Sequence, residues 1–194
     1  LYDPCLFYKN HQKLSSQRTW DGCLTTHVDD IKAWAEEGLM EHLNKLMHDK
    51  GLGTVFRKVE WGDSVVHCGE RTTLSKDGDY LEYDQEVYAE KEISEINIDG
   101  RNLEDDATPE EVTKFRGLHG KTQWVTGRTR PTEAYEDSYA ASAVNRLKVK
   151  DIKRLNKLAR KLKHPEYRIR IPKLDKDKGY KVQLLCDAGQ GEPG

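Results

Sequence analysis

Two adjacent carboxylates, Asp29 and Asp30, end the β-prone run Cys23-Leu24-Thr25-Thr26-His27-Val28. At the exposed end of a strand such a pair can bind hard divalent cations like Mg²⁺, which take oxygen ligands together with substrate phosphates. Two such ions can activate a hydroxyl nucleophile and stabilise a departing pyrophosphate in an in-line displacement. The pair also precedes an expected helix, where acidic side chains offset the helix dipole. Taken alone, the dipeptide favours the capping reading.

The other candidate surface is basic. A helix expected over residues 147–163 puts Ile152, Leu155, Ala159 and Leu162 on one stripe, with Lys153, Arg154, Lys157, Arg160, Lys161 and Lys163 around the rest. It can grip a phosphate backbone, with affinity falling steeply in salt, or be an ordinary amphipathic helix packed by its stripe. The net charge of -2 conceals a strong asymmetry. Residues 79–111 hold thirteen acidic side chains against Lys91 and Arg101, whereas residues 146–181 hold fifteen Lys and Arg against four acids. This distribution suits either a polyanion-binding surface or a solvated charged face. Trp20, Trp34, Trp61 and Trp124 could stack bases, although full or partial burial is the simpler expectation. His42 and His48 read as surface helix residues.

The elements that must position these groups are β-rich first and helical later. Leu6-Phe7-Tyr8 and the run before Asp29 read as a hairpin or meander. A helix follows, with Leu39, Met40, Leu43, Leu46 and Met47 at helical spacing, stopped by Lys50-Gly51-Leu52-Gly53. Residues 54–83 are strand-like, with turns at Gly62-Asp63 and Lys76-Asp77-Gly78-Asp79. The arms of the second turn are Thr73-Leu74 and Tyr80-Leu81-Glu82-Tyr83. Helices are expected from residue 84, the first carrying Val87, Ile93 and Ile96 on one face. A mobile acidic loop is expected over 97–107. Thr108-Pro109-Glu110-Glu111 then has the pattern of a capping box, followed by Val112, Phe115, Leu118 and Val125 on an apolar face. Arg128-Thr129-Arg130-Pro131 breaks that helix and starts another through Tyr135 and Tyr139. The tail from Tyr167 turns β-prone again and ends in Val182-Gln183-Leu184-Leu185-Cys186-Asp187. The fold class is therefore α+β with a helical appendage.

With 36% hydrophobic and 34% charged residues, the 194-residue chain is polar but foldable. No apolar run is long enough to span a bilayer. Cys5, Cys23, Cys68 and Cys186 are scattered with no C-x-x-C pair, which argues for four reduced thiols rather than a disulfide framework or structural zinc. The chain begins at Leu1 and ends in Gly191-Glu192-Pro193-Gly194, and reads as a piece of something longer or a processed product.

Several motifs, in order, resemble the reverse transcriptase of copia-type LTR retrotransposons. Asp3-Pro4-Cys5-Leu6-Phe7-Tyr8 followed by His27-Val28-Asp29-Asp30-Ile31 is similar to the strand and Tyr-Val-Asp-Asp hairpin of that polymerase palm. Leu52-Gly53 and His67-Cys68-Gly69 resemble its Leu-Gly and Phe-Leu-Gly elements, the latter being the primer grip. Gln85-Glu86-Val87-Tyr88 looks like the Gln-x-x-Tyr that opens the thumb. Phe115-Arg116 through Trp124, then Thr129-Arg130-Pro131, resemble Tyr-Arg-x-x-x-Gly-x-Leu-x-Tyr and Thr-Arg-Pro-Asp. Leu155 to Lys163 is similar to a basic Arg-x-Leu-x-Tyr-Leu-Lys helix. Leu184-Leu185-Cys186-Asp187-Ala188 resembles the first strand of the attached RNase H domain. The chain departs from the pattern at His27, where the family has tyrosine, and at His67-Cys68, where it has Phe-Leu.

The resemblance implies a C-terminal part of the palm over 1–83, a helical thumb or connection over 84–165, and the start of an RNase H-like domain over 166–194. It implies Asp29 and Asp30 as catalytic residues and, with Asp187, as ligands of Mg²⁺ (Mn²⁺ being the alternative ion). His67, Cys68 and Gly69 would position the primer. Lys153, Arg154, Lys157, Arg160 and Lys161 would contact nucleic acid. The implied partners are an RNA template, a DNA primer and dNTPs, with no membrane. The implied setting is intracellular, cytoplasmic or nuclear, in a virus-like particle for the parent element. The first palm aspartate of the family would fall before Leu1, so the chain alone is expected neither to polymerise nor to cleave. A decayed or domesticated remnant that binds nucleic acid or protein without catalysis is the alternative, and an unrelated α+β interaction protein a third.

Overall fold

The computed structural model describes residues 6–11, 19–27, 30–35, 37–51, 56–164 and 168–175. Among them the chain is a mixed α+β protein with two antiparallel sheets and five α-helices. The first sheet has strand order β1 (Leu6–His11), β2 (Thr19–His27), β3 (Asp30–Ala35). Phe7 pairs with Leu24, and His27 with Asp30. The third strand corrects the sequence reading, in which a helix follows the Asp-Asp pair. Ile31-Lys32-Ala33-Trp34 alternates between faces and extends the sheet, and α1 (Glu37–Asp49) begins only after it. Helix capping therefore does not account for Asp30. α1 ends at the expected stop, with Gly51 at φ 67°.

The second sheet has the order β4 (Ser64–His67), β5 (Glu70–Leu74), β6 (Tyr80–Asp84), β7 (Ile169–Pro172). The β5–β6 hairpin has the expected arms. Its turn is held by Ser75, whose hydroxyl oxygen accepts from the Asp79 and Tyr80 amides at 2.9 and 3.1 Å. β7 arrives from far along the chain. Arg170 lies opposite Glu82 and donates to its carboxylate at 2.7 Å, and Arg168 adds a second contact at 3.3 Å. The two arginines hold the Glu82 carboxyl below the usual carboxylate range, the Arg170 hydrogen bond being the larger cause. Residues 169–172 thus join the sheet formed by β4, β5 and β6.

The helices are α2 (Glu86–Glu92), α3 (Pro109–Thr126), α4 (Ala134–Ala143) and α5 (Val149–Leu162). α2 ends before Ile93 and Ile96, which are buried beyond its last turn rather than on its face. α3 opens with the expected capping box. The Thr108 oxygen accepts from the Glu111 amide at 3.2 Å, and the Glu111 carboxylate from the Thr108 amide at 2.7 Å. Phe115, Leu118 and Val125 of α3 pack with Ile152, Leu155, Leu158 and Leu162 of α5 in the core. The acidic segment expected to be mobile is tied to the start of α5. Ala107 donates to the Leu147 carbonyl, Val149 to Asp105 and Lys150 to Leu103, at 2.9–3.0 Å. Backbone pairing of this kind fixes a segment whose composition alone suggests a loose loop.

Candidate nucleic-acid interface

Asp30, the second residue of the Asp-Asp pair, heads β3 opposite His27, at the connecting end of the β2–β3 hairpin. Asp29 and Asp187 lie outside the described residues. Among the described residues no three His, Cys, Asp or Glu side chains are grouped to hold a metal.

Two residues beyond Asp30, Lys32 ties this hairpin to the second sheet. Its ammonium donates to the Thr72 hydroxyl at 2.8 Å and lies 4.6 Å from the centre of the Trp34 ring and 5.7 Å from that of Tyr83. Burial pushes its pKa down, with Glu70 and Cys68 opposing. Trp34 and Trp61 are 43% and 57% exposed, and Trp124 is half-buried.

His67, Cys68 and Gly69 form the β4–β5 turn, closed by the pair His67 and Glu70. Cys68 and Gly69 both have positive φ, 51° and 78°, as a two-residue type I′ hairpin requires. Tyr88 buttresses the turn from α2. A Cβ on Gly69 would lie 2.9 Å from Tyr88 Cδ2. Arg71, one step from the closing pair, clamps the same hairpin to β6 and α2, donating to Asp84 at 2.9 Å and Glu86 at 2.5 Å. Gln85, 3% exposed, accepts from the Thr129 hydroxyl at 3.0 Å. The turn 67–69, the segment 85–88 and the segment 129–131 are thereby brought into one contiguous unit. Arg128 completes it, its guanidinium 4.6 Å from the Trp124 ring centre and 3.6 Å from Glu70.

Gly69→Ala is expected to cost about 1–2 kcal/mol for the left-handed backbone, plus the displacement of Tyr88. Gly100, at φ 73° with nothing within 4 Å of its Cβ position, supplies the backbone-only control. In urea titrations Gly69→Ala should lose more stability than Gly100→Ala. Equal losses would mean that Tyr88 does not press on the turn.

The five residues implied as nucleic-acid contacts, Lys153, Arg154, Lys157, Arg160 and Lys161, line one groove of about 500 Å³, with Lys150, Leu158, Glu133 and Glu136 completing its lining, whereas Lys163 lies outside it. Their roles differ. Arg154 makes a bidentate pair with Glu136 at 2.7 and 3.1 Å, and its guanidinium lies 3.5 Å from the Tyr139 ring centre. The hydrogen bond to Glu136 raises the Arg154 pKa and lowers that of Glu136. Lys161 pairs with the buried Glu133 at 2.7 Å, and Arg160 with Glu95. Lys153 and Lys157 are exposed and make no hydrogen bond or ion pair among the described residues. The sequence shows the basic stripe, but the carboxylates facing it come from other elements, and no local pattern announces them. Lys32 carries no local signal either, and although Tyr88 and Arg128 stand in recognisable motifs, their contacts with Gly69 and Glu70 come from distant parts of the chain.

Comparison with protein-family models, curated proteins and solved structures finds no match to this chain. Among the described residues no helix is long and apolar enough to cross a membrane.

Proposed function

We propose that the chain carries part of a copia-type RNA-directed DNA polymerase: palm residues around Asp29-Asp30, the primer grip at 67–69 and a helical thumb or connection. The observation that carries this reading is the position of Asp30, at the connecting end of an antiparallel hairpin instead of a helix N-terminus. The convergence of 67–69 with 85–88 and 129–131 adds support, since these motifs are adjacent only in space. In the polymerase, the primer 3′-hydroxyl attacks the α-phosphorus of a dNTP and pyrophosphate leaves. Bound Mg²⁺ would supply charge neutralisation for attacking and leaving oxygens. Asp29 would be its ligand and Asp30 would share that role. The rigid turn 67–69 would orient the primer end, and the α5 cations would hold the phosphate backbone of the template and primer.

A non-catalytic binding remnant is the second reading, favoured by His27 and His67-Cys68 in place of the family's residues. Primer extension by the longer parent polymerase separates the two, comparing wild type with Asp29→Asn. Loss of incorporation in the variant supports catalysis. Equal incorporation by both proteins rejects a catalytic role for Asp29, and a wild type that extends nothing leaves the remnant reading.

A further inference from the structure

Lys32 stands on β3 two residues from Asp30, a step of about 7 Å along a strand. Its side chain crosses from the first sheet to the second. The ammonium donates to the hydroxyl of Thr72, a 2% exposed residue of β5, at 2.8 Å. The ring of Tyr83, which pairs with Thr72 from β6, has its centre 5.7 Å from the same ammonium. Glu70 and Cys68 are near enough to favour its charged form. Both belong to the closed end of the β4–β5 hairpin, Glu70 paired with His67 and Cys68 inside the turn.

Burial opposes this charge, and ordering a four-carbon stem costs conformational entropy. An apolar side chain would cover the junction without either penalty, but apolar contact has no direction. A hydrogen bond does, since donor and acceptor must meet within a window of about half an ångström. Thr72 lies on β5, an inner strand of its sheet with β4 on one side and β6 on the other. The bond from Lys32 to this fixed hydroxyl therefore sets one separation between the β2–β3 hairpin and the β4–β5 hairpin.

Those two hairpins carry the two halves of the proposed chemistry. The first leads into Asp30, and the second ends in the turn 67–69. We propose that Lys32 is a positioning residue that holds the metal-binding carboxylates in register with the primer end gripped at 67–69. This inference rests on the polymerase reading and adds to it the residue that aligns its two sites. Lys32 acts through geometry, because misplacing reacting groups by about 1 Å lowers a rate on the order of a hundredfold.

The test is single-nucleotide incorporation by the longer parent polymerase at saturating dNTP, under single-turnover conditions. Lys32→Met keeps an unbranched stem and removes the donor. It should lower the incorporation rate by about ten- to a hundredfold, with the KM for dNTP and the affinity for template and primer unchanged. Thr72→Val removes the acceptor and should do the same. The double variant should be no slower than Lys32→Met, because both changes break one contact. Lys32→Arg keeps a charged donor and should recover most of the rate. Thermal melts of the 194-residue chain establish which variants fold, and Thr72→Val carries the test if Lys32→Met does not. A wild-type rate in a folded Lys32→Met or Thr72→Val, or a raised KM at unchanged rate, overturns the inference and leaves the polymerase reading standing. A wild type that extends nothing overturns both.

Discussion

Phe115→Ala is expected to lower stability by about 3–5 kcal/mol, the range for emptying a buried aromatic site. Phe115 is fully buried in the middle of α3, within the cluster that α3 shares with α4 and α5. Its ring also stacks on His119, with centroids 6.4 Å apart and planes 14° from parallel. His119 in turn faces Asp137 of α4, which accepts from the Thr122 hydroxyl at 2.7 Å. Removing the ring leaves a cavity and frees the imidazole that helps α3 meet α4. A typical domain has only about 5–15 kcal/mol of stability, so the variant should melt far earlier or fail to fold. The urea midpoint, at constant slope, measures the loss. A deficit under about 1 kcal/mol would mean that the helices collapse to fill the site and that the α3–α5 interface is loosely packed.

Asn156→Leu comes next, with an expected loss of about 2–4 kcal/mol. Asn156 is 4% exposed on α5, and its amide serves both polar groups of one peptide residue. Its oxygen accepts from the Ile96 amide at 2.9 Å, and its nitrogen donates to the Ile96 carbonyl at 2.8 Å. Leucine has similar volume but leaves both backbone groups buried and unpaired, at about 1–3 kcal/mol each, offset in part by added apolar burial. Asn156→Asp gives the matching pH test. The carboxylate keeps the acceptor but faces the Ile96 carbonyl as a buried charge, so its folded pKa rises. Such a group binds its proton more tightly folded than unfolded, so acid favours the folded state. The deficit of Asn156→Asp relative to wild type should therefore shrink as pH falls, and the deficit of Asn156→Leu should not. Parallel behaviour of the two variants would remove the hydrogen-bonded staple from the account.

These two residues differ in how much of their role is legible in the chain. Phe115 belongs to an apolar stripe that follows a capping box, and both signals are local. Asn156 sits among lysines and leucines on α5, and nothing near it in sequence suggests a partner sixty residues earlier. The candidate interface is of the second kind. The turn at 67–69 is not among the turns read from the sequence, which marks Gly62-Asp63 and Lys76 to Asp79; it follows from the pairing of β4 with β5. The pressure of Tyr88 on it, the Arg71 clamp and the bond from Thr129 to Gln85 depend on how α2 and α3 come to rest against the sheet.

The sequence by itself determined the elements governed by short-range physics. These are the β5–β6 hairpin, the capped start of α3, the amphipathic α5 and the glycine stop of α1. Only the tertiary structure decided that Asp30 opens a strand, since Ile31 to Ala35 can alternate as a strand or begin a helix until β2 offers its edge. It also decided which cations of α5 are paired, because Glu136 of α4 and Glu133, the residue before α4 starts, reach Arg154 and Lys161. Strand pairing and charge neutralisation are long-range events. Their partners are chosen by the packed chain, not by the neighbours of the residue concerned.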